Sequence, residues 1–148
     1  MVFLELNCRV KIGLDRKWLE KVAENFFALN RMKGKSYFSL AFVAGPEIKK
    51  WNRLYRGKDE ITDVLSFVEE DQFVDPSVKD RYLGEIIICV PRAKQQAKEL
   101  KHSLKQEITR LLVHGLAHLA GYDHENVPEK EVKRMEKLED KVMVDLGY

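Results

Sequence analysis

The stretch His114-Gly-Leu-Ala-His118-Leu-Ala-Gly121-Tyr-Asp-His124 constrains this chain more than any other feature. His114 and His118 stand four residues apart. On an α-helix that spacing rotates one side chain from the other by only about 40°, so both imidazoles project from one face. Two imidazoles so placed can share one tetrahedral ion at about 2.0–2.1 Å each. Gly121 offers a position where the chain can turn left-handed and leave the helix. The chain then bends back, and His124 can reach the same point. Three neutral imidazoles leave a fourth position for water, the arrangement of a catalytic site rather than a closed structural one. The expected cofactor is one Zn2+ per chain, although the same donors suit other divalent metals. Cys89 stays open as a further ligand.

The surroundings of the histidines point the same way. From Leu111 to Gly121 no Asp, Glu, Lys or Arg interrupts the sequence. A helix of that composition is buried nearly all round, and imidazoles buried there need partners. His102 lies outside the pattern and reads as a surface helix residue.

The rest of the chain alternates early strands with later helices. Residues 2–12 alternate apolar and polar (Phe3, Leu4, Leu6, Cys8, Val10, Ile12) and read as a strand. Asp15 is the expected N-cap of a helix from about Arg16 to Met32, closed by Gly34. Tyr37 to Ala44 reads as a second strand, and Pro46 opens a short helix to Tyr55. Asn52 to Asp63 reads as a polar loop, Val64 to Val68 as a third strand, 69–81 as an acidic loop and Leu83 to Val90 as a fourth strand. Pro91 begins a helix to about His102, and Ser103 with Gln106 gives a capping-box start to the histidine helix. After a loop at 122–127, Pro128 begins a last helix with Val132, Met135, Leu138, Val142 and Leu146 inward. This order predicts an α+β fold, a mixed four-stranded sheet with helices packed on it. The length of 148 residues suits a single domain spanning 1–148.

Composition excludes several classes. Apolar residues make up 45% and charged residues 34%, which argues against disorder and against a membrane protein. No apolar run nears the roughly 20 residues of a bilayer span. The N-terminal segment lacks the pattern of a secretory signal, so a cytoplasmic location is expected. Cys8 and Cys89 read as two buried thiols rather than a disulfide framework. Net charge is only +2, from 26 basic and 24 acidic side chains. Any polyanion site must therefore come from local clustering.

The histidine spacing resembles the metzincin protease signature, His-Glu-x-x-His-x-x-Gly-x-x-His. Gly115 stands where those enzymes carry their glutamate base. A helical glycine costs about 1 kcal/mol relative to alanine, so Gly115 is expected to open space for a bulky substrate or a close-packed strand. With glycine at that place the motif resembles the YbeY family, the bacterial rRNA-maturation endoribonucleases. Two further blocks carry the resemblance: Asn52-Arg-Leu-Tyr55-Arg56-Gly-Lys-Asp59-Glu-Ile-Thr62-Asp63-Val-Leu-Ser66-Phe67, and Leu83-Gly84-Glu85-Ile86-Ile-Ile-Cys89, where the family usually has Gly-Asp. The resemblance covers essentially the whole chain. It implies a zincin-like mixed sheet with helices, a metal held by His114, His118 and His124, and a functional role for Arg56. It also implies action on single-stranded RNA, in maturing and checking rRNA at the small ribosomal subunit.

Chemistry gives these residues roles. A metal-bound water is acidified towards neutral pH, which relaxes the need for the missing glutamate. Arg56 can grip a phosphate bidentately. Asp63, Glu85 and Asp123 are the nearest carboxylates, and none earns the role of general base from sequence. Lys49, Lys50, Arg53, Arg56 and Lys58 form a basic cluster, with Arg53 and Lys58 as expected substrate contacts. Lys94, Lys98, Lys101 and Lys105 form a stripe on a helix at 92–105, either a phosphate track or an ordinary solvated face. Trp51 and Tyr55 can stack on bases, and a core role is open for Trp51. A ribosome-assembly factor with a structural metal, and a metallohydrolase for another substrate, are the alternative readings.

Overall fold

A computed structural model describes residues 2–70 and 80–148. Among the described residues the elements run β1 (Val2–Cys8), α1 (Arg16–Leu29), β2 (Lys35–Val43), α2 (Gly45–Arg56), β3 (Val64–Val68), β4 (Asp80–Cys89), α3 (Val90–Glu99), α4 (Leu104–Leu119) and α5 (Glu129–Asp145). The four strands form one sheet in the order β1-β2-β4-β3. β1 pairs with β2 and β2 with β4 in parallel, and β3 runs antiparallel to β4. The expected α+β fold with a mixed four-stranded sheet is the fold observed.

Helices cover both faces of the sheet. Leu4, Phe38, Leu40, Phe42, Ile86 and Ile88 turn inward to Leu19, Phe26, Leu112 and Leu116 of α1 and α4, with Met135 and Val142 of α5 closing that core. On the opposite face, Ala41, Val43, Ile87 and Cys89 pack with Ile48 of α2 and Leu65 of β3. β4 is central and covered on both sides, which is why Ile86, Ile87, Ile88 and Cys89 read as an unbroken apolar run. Each fully buried Phe or Ile contributes about 1.5–3 kcal/mol.

The histidine helix α4 is fixed at both ends. Ser103 caps it, its hydroxyl accepting the Gln106 N–H at 3.1 Å. Asp15 likewise caps α1, accepting the Lys17 N–H at 2.9 Å. Trp18 of α1 donates its indole N–H to Thr109 Oγ1 of α4 at 2.9 Å, so the two helices are pinned by a partly buried polar contact as well as by packing.

Several boundaries differ from expectation, each for a local reason. β1 ends at Cys8 rather than residue 12; the Arg9 N–H still reaches the Phe42 carbonyl at 3.0 Å, and the strand pairing stops there. α1 stops at Leu29, before Met32 and Gly34, because Arg31 takes the left-handed turn at φ 52. α2 continues to Arg56, so Asn52 to Arg56 are helical and not loop. The expected acidic loop at 69–81 lies largely outside the described residues, and Asp80 already belongs to β4. α3 ends at Glu99, and Lys101 adopts φ 55. The lysine stripe is therefore broken: Lys94 and Lys98 lie on α3, Lys101 in the turn and Lys105 on α4. Lys105 places its ammonium 3.8 Å from the Trp18 ring centroid, a cation–π contact rather than a phosphate track. Leu100, the C-cap of α3, is exposed. Cys8 is exposed as well, while Cys89 is buried as expected.

Candidate metal centre

His114 and His118 sit on α4, and Gly121, at φ 96, turns the chain out of the helix two residues past its end. That left-handed turn lets 122–124 fold back over the helix. The three imidazoles come together with ring centroids 4.7, 5.1 and 5.1 Å apart, and their candidate ligand atoms all lie within 4.8 Å of one another.

The protonation of two rings is set by their outer partners. His118 donates its Nδ1–H to the Tyr122 carbonyl at 3.0 Å. A carbonyl only accepts, so Nε2 of His118 keeps its lone pair. His114 donates Nδ1–H to the Glu139 carboxylate at 2.8 Å, which frees its own Nε2 in the same way. These two Nε2 atoms face each other at 3.2 Å. Two lone pairs at that distance repel unless a cation lies between them. Tetrahedral ligation at about 2.0–2.1 Å brings donor nitrogens to about 3.4 Å, so the spacing and the chemistry both fit a metal ion. Burial, followed by the neighbouring His114 and His124, pushes the His118 pKa down and favours the neutral, metal-binding form.

A groove of about 520 Å³ runs past the histidines. β3 forms one wall, with Val64, Ser66 and Phe67. Arg56, at the last turn of α2, also lines the groove. Its Nη2 lies 3.7 Å from Glu125 Oε1, beside His124. Both side chains are solvent-accessible, so this pair is weak, about 0–1 kcal/mol, and a phosphate can replace the carboxylate. Arg53 and Lys58 are exposed and do not line the groove among the described residues.

Arg110 also lines the groove, one helical turn before His114. Its guanidinium is clamped by the fully buried Glu107, which also accepts from Gln96 at 3.1 Å and meets His102 Nε2 at 2.6 Å. His102 is therefore a partly buried member of this cluster rather than a surface residue. Burial pushes the Glu107 carboxyl up, but hydrogen bonds from Arg110, His102 and Gln96 outweigh it and hold the pKa below the usual range. Gln96 bridges onward to Asp63 Oδ2 at 3.2 Å.

The three acidic residues near the site have other work. Asp63 orients the start of β3, accepting the Val64 N–H at 2.7 Å as well as the Gln96 amide. Asp123 closes the turn by accepting the Glu125 and His124 N–H groups, which hold its carboxyl low and make it a poor base. Glu85 lies on the far face of the sheet, outside the groove, with its pKa raised chiefly by burial.

Gly115 meets the strand, not a substrate. A Cβ there would stand 2.9 Å from both Cδ1 and Cγ2 of Ile86 on β4. Of the two expected uses for this glycine, the close-packed strand is the one observed. Two groups went unnoticed in the sequence. Glu139 lies in a helix full of both charges, and nothing local marks it. Arg110 was legible as the residue four before His114, hence on the same helical face.

Fold and site together are those of a metal-dependent hydrolase, with a three-imidazole pocket on a helix packed against a mixed sheet. A profile described as endoribonuclease YbeY matches residues 7–147. An endoribonuclease YbeY of Alkaliphilus metalliredigens is 46% identical over 145 residues, covering 95% of this chain and 92% of the relative. Another from Aquifex aeolicus is 40% identical over 148 residues, covering 99% and 91%. The solution structure of a Thermotoga maritima protein superposes with a TM-score of 0.62 at 28% identity, covering 99% of this chain and 91% of that one. The chain belongs to the YbeY endoribonuclease family.

Proposed function

We propose that this chain is a single-domain, metal-dependent endoribonuclease that cuts single-stranded RNA while small-subunit rRNA is matured and checked. The small ribosomal subunit would be its partner and the cytoplasm its place of work. No helix among the described residues is long and apolar enough to cross a membrane. The observation that carries the reading is the pair of Nε2 atoms at 3.2 Å, on rings whose Nδ1 atoms are engaged by Glu139 and the Tyr122 carbonyl. His114, His118 and His124 would hold one divalent ion, zinc by the chemistry of an all-imidazole set.

The metal, when bound, supplies Lewis acidity and a water acidified near neutral pH. The chain supplies the rest. Arg56 grips the phosphate in exchange for its loose contact with Glu125. Arg110, already neutralised by Glu107, adds a fixed N–H edge to the groove wall. β3 limits the approach from one side. Asp63 and Asp123 are committed to backbone and amide contacts, so no side chain of the groove is assigned as general base. Arg53 and Lys58 lie outside the groove and would act on flanking phosphates through their charge.

The test is cleavage of end-labelled single-stranded rRNA fragments by wild type and His118→Ala, with the metal content of each determined. Cleavage by the metal-loaded wild type and none by the metal-poor variant is the expected result. Equal cleavage by both removes the metal from the mechanism. Intact RNA with metal-loaded wild type overturns the nuclease reading in favour of an assembly factor.

A further inference from the structure

We propose that the cleft on the far side of Tyr55 is a nucleobase subsite, which takes one unpaired base of the RNA strand whose phosphate lies at Arg56. This rests on the nuclease reading above and gives it a second point of contact. The cleft has a volume of about 270 Å³ and opens on the face of the sheet opposite α4. That is below the roughly 300–1,000 Å³ of sites that take drug-sized ligands, and it suits a single flat ring system.

Three rings build its aromatic wall. Tyr55 stacks on Trp51 with centroids 5.6 Å apart and an interplanar angle of 25°. Phe67 of β3 leans on Tyr55 at 5.0 Å and 59°. Tyr55 is 63% exposed, an unusual state for a large aromatic side chain in a folded domain. Base–aromatic stacking needs an accessible ring that is already immobilised, and Tyr55 meets both conditions.

The cleft adjoins the metal groove. Tyr55 and Phe67 line both cavities. Arg56 follows Tyr55 in the chain, so the phosphate grip and the stacking ring turn together on the last turn of α2. A strand crossing from one cavity to the other therefore passes a cation and then an aromatic face, the alternation that nucleic-acid grooves use.

Polar groups of the lining fit a base edge rather than an aliphatic side chain. Asn7 offers both donor and acceptor, and Glu85 offers a carboxyl whose burial favours its protonated form. Arg9 is held beside them by its ion pair with Glu47. The exposed outer side of α2 carries Lys49, Lys50 and Arg53, a local positive field suited to the RNA backbone.

The experiment walks one abasic nucleotide along a short single-stranded RNA, across the cleavage site, with metal-loaded full-length protein. Wild type should lose cleavage rate by roughly tenfold at one flanking position and little elsewhere. In Tyr55→Ala the ratio of intact to abasic cleavage at that position should collapse towards one, and Tyr55→Phe should restore it. An abasic penalty absent at every position, or retained in full by Tyr55→Ala, overturns the subsite. Binding of RNAs carrying 2-aminopurine at single positions gives a readout free of cleavage: quenching should peak at one position and vanish in Tyr55→Ala. Loss of cleavage in wild type with that quenching intact counts against the nuclease chemistry alone. Uniform or absent quenching counts against the subsite even where RNA is cut.

Discussion

Glu139 Oε1 lies 2.8 Å from His114 Nδ1, so a carboxylate on α5 fixes the tautomer of an imidazole on α4. The contact adds a polar link to two helices that also meet through apolar packing. Carboxylates in this position orient a metal-binding ring and raise its basicity. Glu139→Ala should therefore weaken metal binding by about 10- to 100-fold while the protein stays folded. Competition against a chromogenic chelator, with a circular dichroism melt as control, measures this. Unchanged affinity would remove Glu139 from the site.

Arg56 should matter to cleavage and not to metal. Its guanidinium reaches Glu125 but no histidine. Losing charge-assisted hydrogen bonds to a phosphate costs about 1.5–3 kcal/mol, roughly 10- to 100-fold in rate. Arg56→Ala should show that loss at full metal occupancy. A fall in metal content matching the fall in rate would mean that Arg56 supports the histidines instead.

The cluster around Glu107 predicts acid sensitivity. Its folded pKa is depressed below that of the unfolded chain, so the unfolded state takes up the proton first. The carboxylate contributes stability in full above the ordinary Glu value of about 4.3. That stability is lost as pH falls through the lower, folded value. Urea midpoints of wild type should fall across this acidic window, and those of Glu107→Gln should fall less. At neutral pH Glu107→Ala should cost about 1–3 kcal/mol, because Gln96 and the partly solvent-screened Arg110 lose their buried acceptor. Parallel acid profiles for wild type and Glu107→Gln would refute the linkage.

Gly115 and Ile86 should be energetically coupled. Gly115→Val drives its side chain into Ile86 and should destabilise by about 1–3 kcal/mol. Ile86→Ala opens a cavity at a cost of about 2–5 kcal/mol. The double mutant should cost less than the two singles together, by about 0.5–3 kcal/mol. Strict additivity in a denaturation cycle would mean that the helix shifts rather than clashes.

What the sequence could reveal depended on the range of the interactions. The ligand set was legible because His114, His118, Gly121 and His124 follow one another within a single helical exit. The strands were legible because β4 is buried on both faces and β1 on alternate residues. Arg56 was recognisable as a residue but not as a helical one, since Gly57 and the polar run after Asn52 suggested a loop too early. The lysine stripe failed because it was drawn across the helix break that Ser103 marks; Lys101 interrupts the period with a left-handed turn. Glu139, Glu107 and His102 were hidden for a different reason. Their partners lie on other elements or across a turn, and hydrophobic periodicity carries no trace of such pairings.

The contact between Gly115 and Ile86 bears on how this scaffold can diversify. The position at which metzincins keep a glutamate base is here filled from the other side by a central strand. A side chain introduced at Gly115 would have to displace the Ile86 side chain before it could meet any substrate. Peptidase chemistry is thus separated from this site by at least two linked changes, one in the helix and one in β4, and each alone leaves a less stable protein. In this chain the close fit of Gly115 against Ile86 ties the absence of that base to the packing of the core.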